Sequence, residues 1–361
     1  MKIQSEFIIV GGKYNELQTS LTHYQVKKEN GAITVLANKP ICVCDHFWDC
    51  MNEEWVFAVK CDDGQSRYHI DYLFLDNNFE LLNALTEDKG VNPQFLTAQD
   101  NTAWVSLSST STEREGEIVL PLQNRFRITK EIVRKDLGMD AIFCLNNQCC
   151  SYQIDLFNHK KYDKLFVYQF DKNGLYKTRK QYILENIWNG YPTVTRDKCF
   201  VTCGKWSNSL CTIHVSEIDE NGNILSDWKS EAIADMNSVF LLSYSDTKME
   251  FITFHENHVD YLVYSFEGIL LSRKIIYQVE TNINLIEKTQ IMGGVKAVHC
   301  VVSGDVQHFA KNVMLVLGNN TVDVYEAEEG YFPSLLDDSH LLFAPISRIE
   351  NIACSFKIVI I

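Results

Sequence analysis

A tight polar turn between two strand-like runs recurs seven times along this chain, and nothing else in the sequence narrows the choice of fold so far. Val167-Tyr-Gln-Phe-Asp-Lys-Asn-Gly-Leu-Tyr and Val215-Ser-Glu-Ile-Asp-Glu-Asn-Gly-Asn-Ile-Leu are two copies. The last turn residues are Gly31, Asn78, Asn124, Gly174, Gly222, Gly268 and Asn320, spaced 47, 46, 50, 48, 46 and 52 residues apart. Asn and Gly suit such turns because a two-residue type I′ hairpin needs positive φ at both central positions. Two more apolar runs precede a turn, for example Ser238-Val-Phe-Leu-Leu-Ser-Tyr and Met249-Glu-Phe-Ile-Thr-Phe ahead of Gly268. Each unit of about 48 residues therefore has room for four short strands. No stretch of 10–12 residues shows clear helical spacing.

A four-stranded unit repeated about seven times resembles the β-propeller superfamily, at the level of repeat architecture and over essentially the whole chain. The resemblance implies an all-β fold: a seven-bladed β-propeller of four-stranded antiparallel blades, one domain over residues 1–361, closed by strands from both termini. His340-Leu-Leu-Phe-Ala and Ile352-Ala-Cys-Ser-Phe-Lys-Ile-Val-Ile read as two inner strands of the closing blade, with an outer hairpin over residues 21–37. Glu6-Phe-Ile-Ile-Val competes for one slot, which leaves eight blades or a five-stranded closing blade open. The Gly-His and Trp-Asp rhythm of WD40 repeats, the regular Gly-Gly doublets of kelch repeats and the sialidase Asp-box are all missing, so no family's functional residues carry over.

Charge narrows the partners. Thirty-three Lys and Arg stand against 47 Asp and Glu, a net charge of −14 that repels phosphate backbones and anionic lipid surfaces. Neither nucleic acid nor membrane is expected. The start of the chain lacks the basic, then apolar, pattern of an export signal, and no apolar run reaches the 18–20 residues of a membrane span. A cytoplasmic location follows, with the 12 cysteines reduced and mostly buried in strands.

The search for chemistry yields no metal site and no cofactor. Cys199, Cys203 and Cys211, or Cys42, Cys44 and Cys50, lack paired Cys-x-x-Cys spacing. His255-Glu-Asn-His258 is one residue short of the zincin pattern and lies in a strand-to-loop context, where two imidazoles are not expected to share a helical face. No Gly-x-Ser-x-Gly elbow or phosphate loop is present.

The loops between second and third strands, and between blades, are longer and richer than the hairpin turns. Treated as one surface, they supply candidate partner-binding residues Tyr68, Trp188, Tyr191, Trp206 and His308. Trp and Tyr are favoured anchors at protein interfaces and also stack on sugars. Packing between blades is the competing role for Trp48, Trp104 and Trp188. The leading expectation is a protein-interaction propeller for a partner with basic surface, a restrained toxin or effector among the candidates. A lectin-like or small-ligand propeller binding a small ligand or glycan, and a hydrolase- or lyase-type enzyme with a dispersed site, stay open beside it.

Overall fold

The computed structural model describes residues 18–49, 53–62, 68–87, 91–97, 103–109, 117–123, 127–128, 141–145, 148–154, 162–170, 176–185, 188–194, 198–207, 210–219, 223–234, 236, 238–304, 310–319, 321–345 and 353–361. Among these, strands dominate, and the one helical element is the 3-10 turn Leu21–His23. The strands form seven antiparallel sheets of four or five strands. Six of them are built from four strands that are consecutive in the chain and neighbours in the sheet, such as Ser238–Tyr244, Lys248–Phe254, His258–Ser265 and Leu270–Gln278. Gln18–Thr19 adds a fifth strand beside Leu81–Glu87, and Ile233–Ala234 pairs with Leu210–Ile218.

The seven turn positions all fall between hydrogen-bonded neighbours, yet they are not all of one type. Asn30 and Gly31 have φ of 50° and 76°, the two positive values a type I′ hairpin needs. In the next hairpin the positive φ, 59°, belongs to Phe79 and not to Asn78. Asp76 Oδ1 accepts from the backbone N–H groups of Asn78 and Glu80, and the register slips at Phe74 and Leu75. The Gly268 turn has the same form, with φ of 78° at Gly268 and a slip at Val263 and Tyr264. These are longer turns ending in a bulge, which require one left-handed residue instead of two. Phe79 tolerates that conformation while buried and stacked on Trp55 at 6.2 Å.

The seventh sheet draws on both ends of the described chain, in the order Tyr24–Glu29, Ala32–Ala37, Ser355–Ile360, His340–Pro345, Tyr331–Leu335. It is five-stranded. The sequence reading placed two strands from the C-terminal end here, and the structure places three. Tyr331–Leu335, the third, contains Pro333 and is the last strand in the order, the position in a sheet where proline is tolerated. Glu6 to Val10 lie outside the described residues.

The chain divides into two compact units. In the one holding residues 184–343, successive sheets bury their faces on each other. Phe200, Ile213 and Val215 pack with Met249, Phe251, Leu262 and Tyr264. Phe240, Ile252 and Val259 pack with Ile283, Val298, Val313 and Leu315. Ala297, Met314 and Val316 pack with Leu335, Leu341 and Phe343. Sheets buried on both faces explain the unbroken apolar runs, such as Ser238–Tyr244. Polar ties cross the same seams: Glu250 accepts from Lys296 of the next sheet as well as from Ser243 of its own, and the Gln290 side chain bonds both backbone groups of Leu335. Burial would raise the Glu250 carboxyl, but the hydrogen bonds from Lys296, Ser243 and Lys248 bring it down to about 2.

In the other unit, which holds residues 1–157, 164–183 and 344–357, Phe57 stacks on Phe356 at 5.1 Å. Trp48, one of the residues with a packing alternative, is half-buried against its cross-strand partner Trp55 at 5.3 Å. Cys61, Cys211 and Cys300 are buried, Cys42 and Cys44 half-buried, and Cys354 exposed. Burial pushes the Cys300 thiol up to about 12, so it packs as an inert apolar group. No helix among the described residues is long and apolar enough to cross a membrane.

Candidate functional site

In a four-stranded antiparallel meander the turn between the second and third strands lies on the same edge as the start of the first strand. That geometry positions the aromatic candidates. Trp188 opens the strand Trp188–Val194, and Trp206 lies near the end of the strand Cys199–Ser207, just before the turn into Leu210–Ile218. The register Trp188 to Gly204 and Trp206 to Cys211 puts both at this edge of one sheet. Tyr191 belongs to the same sheet but sits deeper, opposite Thr202. Tyr68 opens the third strand Tyr68–Asp76 of another sheet, again at the edge of its second-to-third turn. His308 lies outside the described residues.

At the same edge, two sheets carry a polar corner, of which the sequence pointed to only His255 and His258. In the sheet of residues 41–87 it comprises Cys61 at the end of the second strand and His69 and Asp71 at the start of the third. Asp71 is 1% exposed. Its Oδ2 accepts from the Tyr24 hydroxyl at 2.6 Å and faces the Cys61 thiol at 3.5 Å. Its Oδ1 accepts from the Thr86 hydroxyl at 2.6 Å and lies 3.6 Å from His69 Nε2. Burial works against the Asp71 charge, but His69, Thr86 and Tyr24 together outweigh it and hold the carboxyl below its usual range. Burial, then the Asp71 charge, pushes the Cys61 thiol upward, and Tyr24 rises through burial and its two acidic neighbours.

In the sheet of residues 238–278 the corner comprises His255, His258 and Asp260. Asp260 is fully buried. Its Oδ2 accepts from Arg273 Nε and a terminal guanidinium nitrogen, both at 2.6 Å, and His255 Nε2 lies 3.0 Å from the same oxygen and 3.2 Å from the guanidinium. The tight turn at 256–257, closed by the His255 N–H on the His258 carbonyl, stacks the two imidazoles at 4.3 Å and 6°. The two histidines share no helical face, as their strand-to-loop context implied, but a two-residue hairpin brings their rings together. Burial and the charge of His255 lower the pKa of His258. Burial opposes the Asp260 charge, and the bonds from His255 and Arg273 restore it, again leaving the carboxyl below its usual range.

The two corners are equivalent by register. Asp71 pairs with Val59 and Asp260 with Thr253, which aligns His69 with His258 and Cys61 with His255. The signal was present in the sequence as a repeated pentapeptide, His69-Ile-Asp-Tyr-Leu and His258-Val-Asp-Tyr-Leu. Among the described residues, these two groups bring three or more metal-ligating side chains together.

No protein-family description matches the chain, and no curated protein matches it. Solved structures do, β-propeller domains among them. The chain is similar to the β-propeller domain of the trilobed protease of Pyrococcus furiosus, at 7% identity and a TM-score of 0.47 with 92% of each chain covered. It is similar to the Dos1 propeller at 10% identity and 0.45, covering 95% of this chain and 96% of that one. It is also similar to the acylaminoacyl peptidase of Pyrococcus horikoshii at 8% identity and 0.49, covering 91% of this chain and 48% of that one. The chain thus spans about half the length of that peptidase.

Proposed function

We propose that residues 1–361 form one seven-bladed β-propeller, closed by the sheet built from both chain ends, that acts as a binding scaffold in the cytoplasm. Its partner is a protein with a basic surface, drawn by the net charge of −14. The face-to-face burial of successive sheets supports the propeller. The observation that carries the function is the placement of Tyr68, Trp188 and Trp206 at the same edge of their sheets, beside the second-to-third turns. Rigid strands ending in loops hold such anchors in place at little entropic cost.

The test is Trp206→Ala in the full chain, with the partner recovered by affinity capture and purified. Affinity is expected to fall by about 2 kcal/mol with the urea midpoint unchanged. The wild-type association rate is expected to fall as salt rises. A loss of about 3–5 kcal/mol in stability with affinity intact would return Trp206 to packing and overturn the reading.

A further inference from the structure

The His255, His258 and Asp260 corner holds donor atoms whose arrangement the protein itself does not satisfy. His258 Nδ1 lies 3.0 Å from the Asn257 side-chain oxygen. A hydrogen bond there places the imidazole proton on Nδ1 and leaves Nε2 with a free lone pair. That lone pair faces Asp260 Oδ1 at 3.8 Å. Asp260 Oδ1 is buried and has no hydrogen-bond partner, because Arg273 and His255 both bond the other oxygen. Directly across the strand pair, Thr253 Oγ1 is also buried without a partner. A bare carboxylate oxygen costs free energy in a buried setting, and one that faces the His258 lone pair costs more.

We propose that His258 Nε2 and Asp260 Oδ1, with His255 as third donor, bind a divalent transition-metal ion of the zinc class. Two metal–ligand bonds of about 2.1 Å, meeting at a wide angle, span the 3.8 Å between these atoms. Their supports are those of metal ligands elsewhere: Asn257 sets the tautomer of one, and Arg273 holds the far oxygen of the other. Two imidazoles and a carboxylate suit zinc and its neighbours better than calcium or magnesium, which prefer all-oxygen sets. His255 completes the set by turning out of its stack with His258, since one ion cannot lie in the planes of two parallel rings. The half-exposed edge of His258 leaves a position for water as the fourth ligand, an open arrangement.

The equivalent corner at Asp71 shows why the site belongs to one sheet. There Tyr24 and Thr86 occupy both carboxylate oxygens, and Val59 replaces Thr253. The proposal does not depend on partner binding and stands or falls separately from it.

The experiment uses the tag-free full chain, stripped with chelator and titrated with Co²⁺ by visible absorption and with Zn²⁺ by calorimetry. One equivalent is expected to bind, with a Co²⁺ spectrum of low-coordinate nitrogen and oxygen ligation. His258→Ala, checked for folding by circular dichroism, is expected to weaken binding at least about 10-fold, and Asp260→Asn likewise, whereas His69→Ala leaves it unchanged. No Co²⁺ spectrum in the wild-type chain, undiminished binding in His258→Ala, or binding lost with His69→Ala would each overturn the site and leave a bridging water as the occupant.

Discussion

The corners at Asp71 and Asp260 begin from the same residues at the same register and end in different electrostatic states. In the first, the aspartate is wrapped by two hydroxyls, a thiol and the His69 imidazole, and Tyr24 reaches it from 47 residues away. In the second, charge is met with charge: Arg273, 40% exposed, sits on one oxygen and the other is bare. One strand-to-strand scaffold can therefore build either a sealed structural tie or a site with unspent valence. The deciding residues are the donors from neighbouring strands, Thr86 and Tyr24 against Arg273.

Removing the carboxylates should give the largest difference. Asp71→Ala leaves the buried Tyr24 hydroxyl with the weakly bonding Cys61 thiol at 3.1 Å and takes the acceptor from Thr86, and is expected to cost about 3–5 kcal/mol in urea unfolding. Asp260→Ala frees an arginine that can turn to water, and the expected cost is about 1–3 kcal/mol. Equal losses would dissolve the distinction between a sealed and an open corner.

A third sheet supplies a reference without an acid. His299 on the second strand is 1% exposed, and its Nε2 lies 3.0 Å from Asn312 on the third. Burial, only partly opposed by Asn312, lowers its pKa to about 4. A folded-state value below the ordinary value of about 6.5 means that the unfolded chain takes up the proton first. The stability is therefore complete above about pH 6.5 and is lost as pH falls toward 4, by about 3 kcal/mol. His299→Gln should flatten that limb of the stability profile; an unchanged slope between pH 6.5 and 4 would show that the imidazole is not held neutral.

The smallest change is Tyr24→Phe, which deletes one hydroxyl from the sealed corner. Losing a hydrogen bond to a charged acceptor is expected to cost about 1.5–3 kcal/mol, and the Cys61 thiol should react faster with a maleimide reagent as the corner loosens. Protection of Cys61 equal to wild type would mean that Tyr24 packs there without sealing.

Much of this architecture was legible in the turns. Gly and Asn at the seven hairpins report backbone needs that are local, so a single sequence carries them. Turn type was less legible, because Phe79 takes the left-handed position that the sequence suggests for Asn78, and only its stacking on Trp55 explains why. Tyr331–Leu335 was not among the strands expected, and its Pro333 is acceptable only because the strand lies at a sheet edge, which a single sequence does not show. The aromatic candidates were found by composition of loops, which gives edge but not depth: Tyr191 lies further into its sheet than Trp188. Of the polar corners only His255 and His258 stood out in the sequence; Asp260 and the whole Asp71 corner are marked only by the repeated His-x-Asp-Tyr-Leu, which has no turn residue to flag it. The contact of Tyr24 with Asp71 joins two sheets and has no local signature.

The sheet that joins residues 24–37 to residues 355–360 also sets a clock on synthesis. The hairpin emerges from the ribosome more than 300 residues before the strand it pairs with. At about 5–20 residues per second, its inward edge waits on the order of 15–60 s with a row of unpaired backbone groups exposed. The waiting strand, Ala32–Ala37, carries no charge of its own; Lys27, Lys28 and Glu29 lie on the other strand of the hairpin, so that edge is open to a stranger's strand. A nascent chain of this protein thus spends most of its translation as a stack without its last partner, and that interval is when a chaperone has the most to shield.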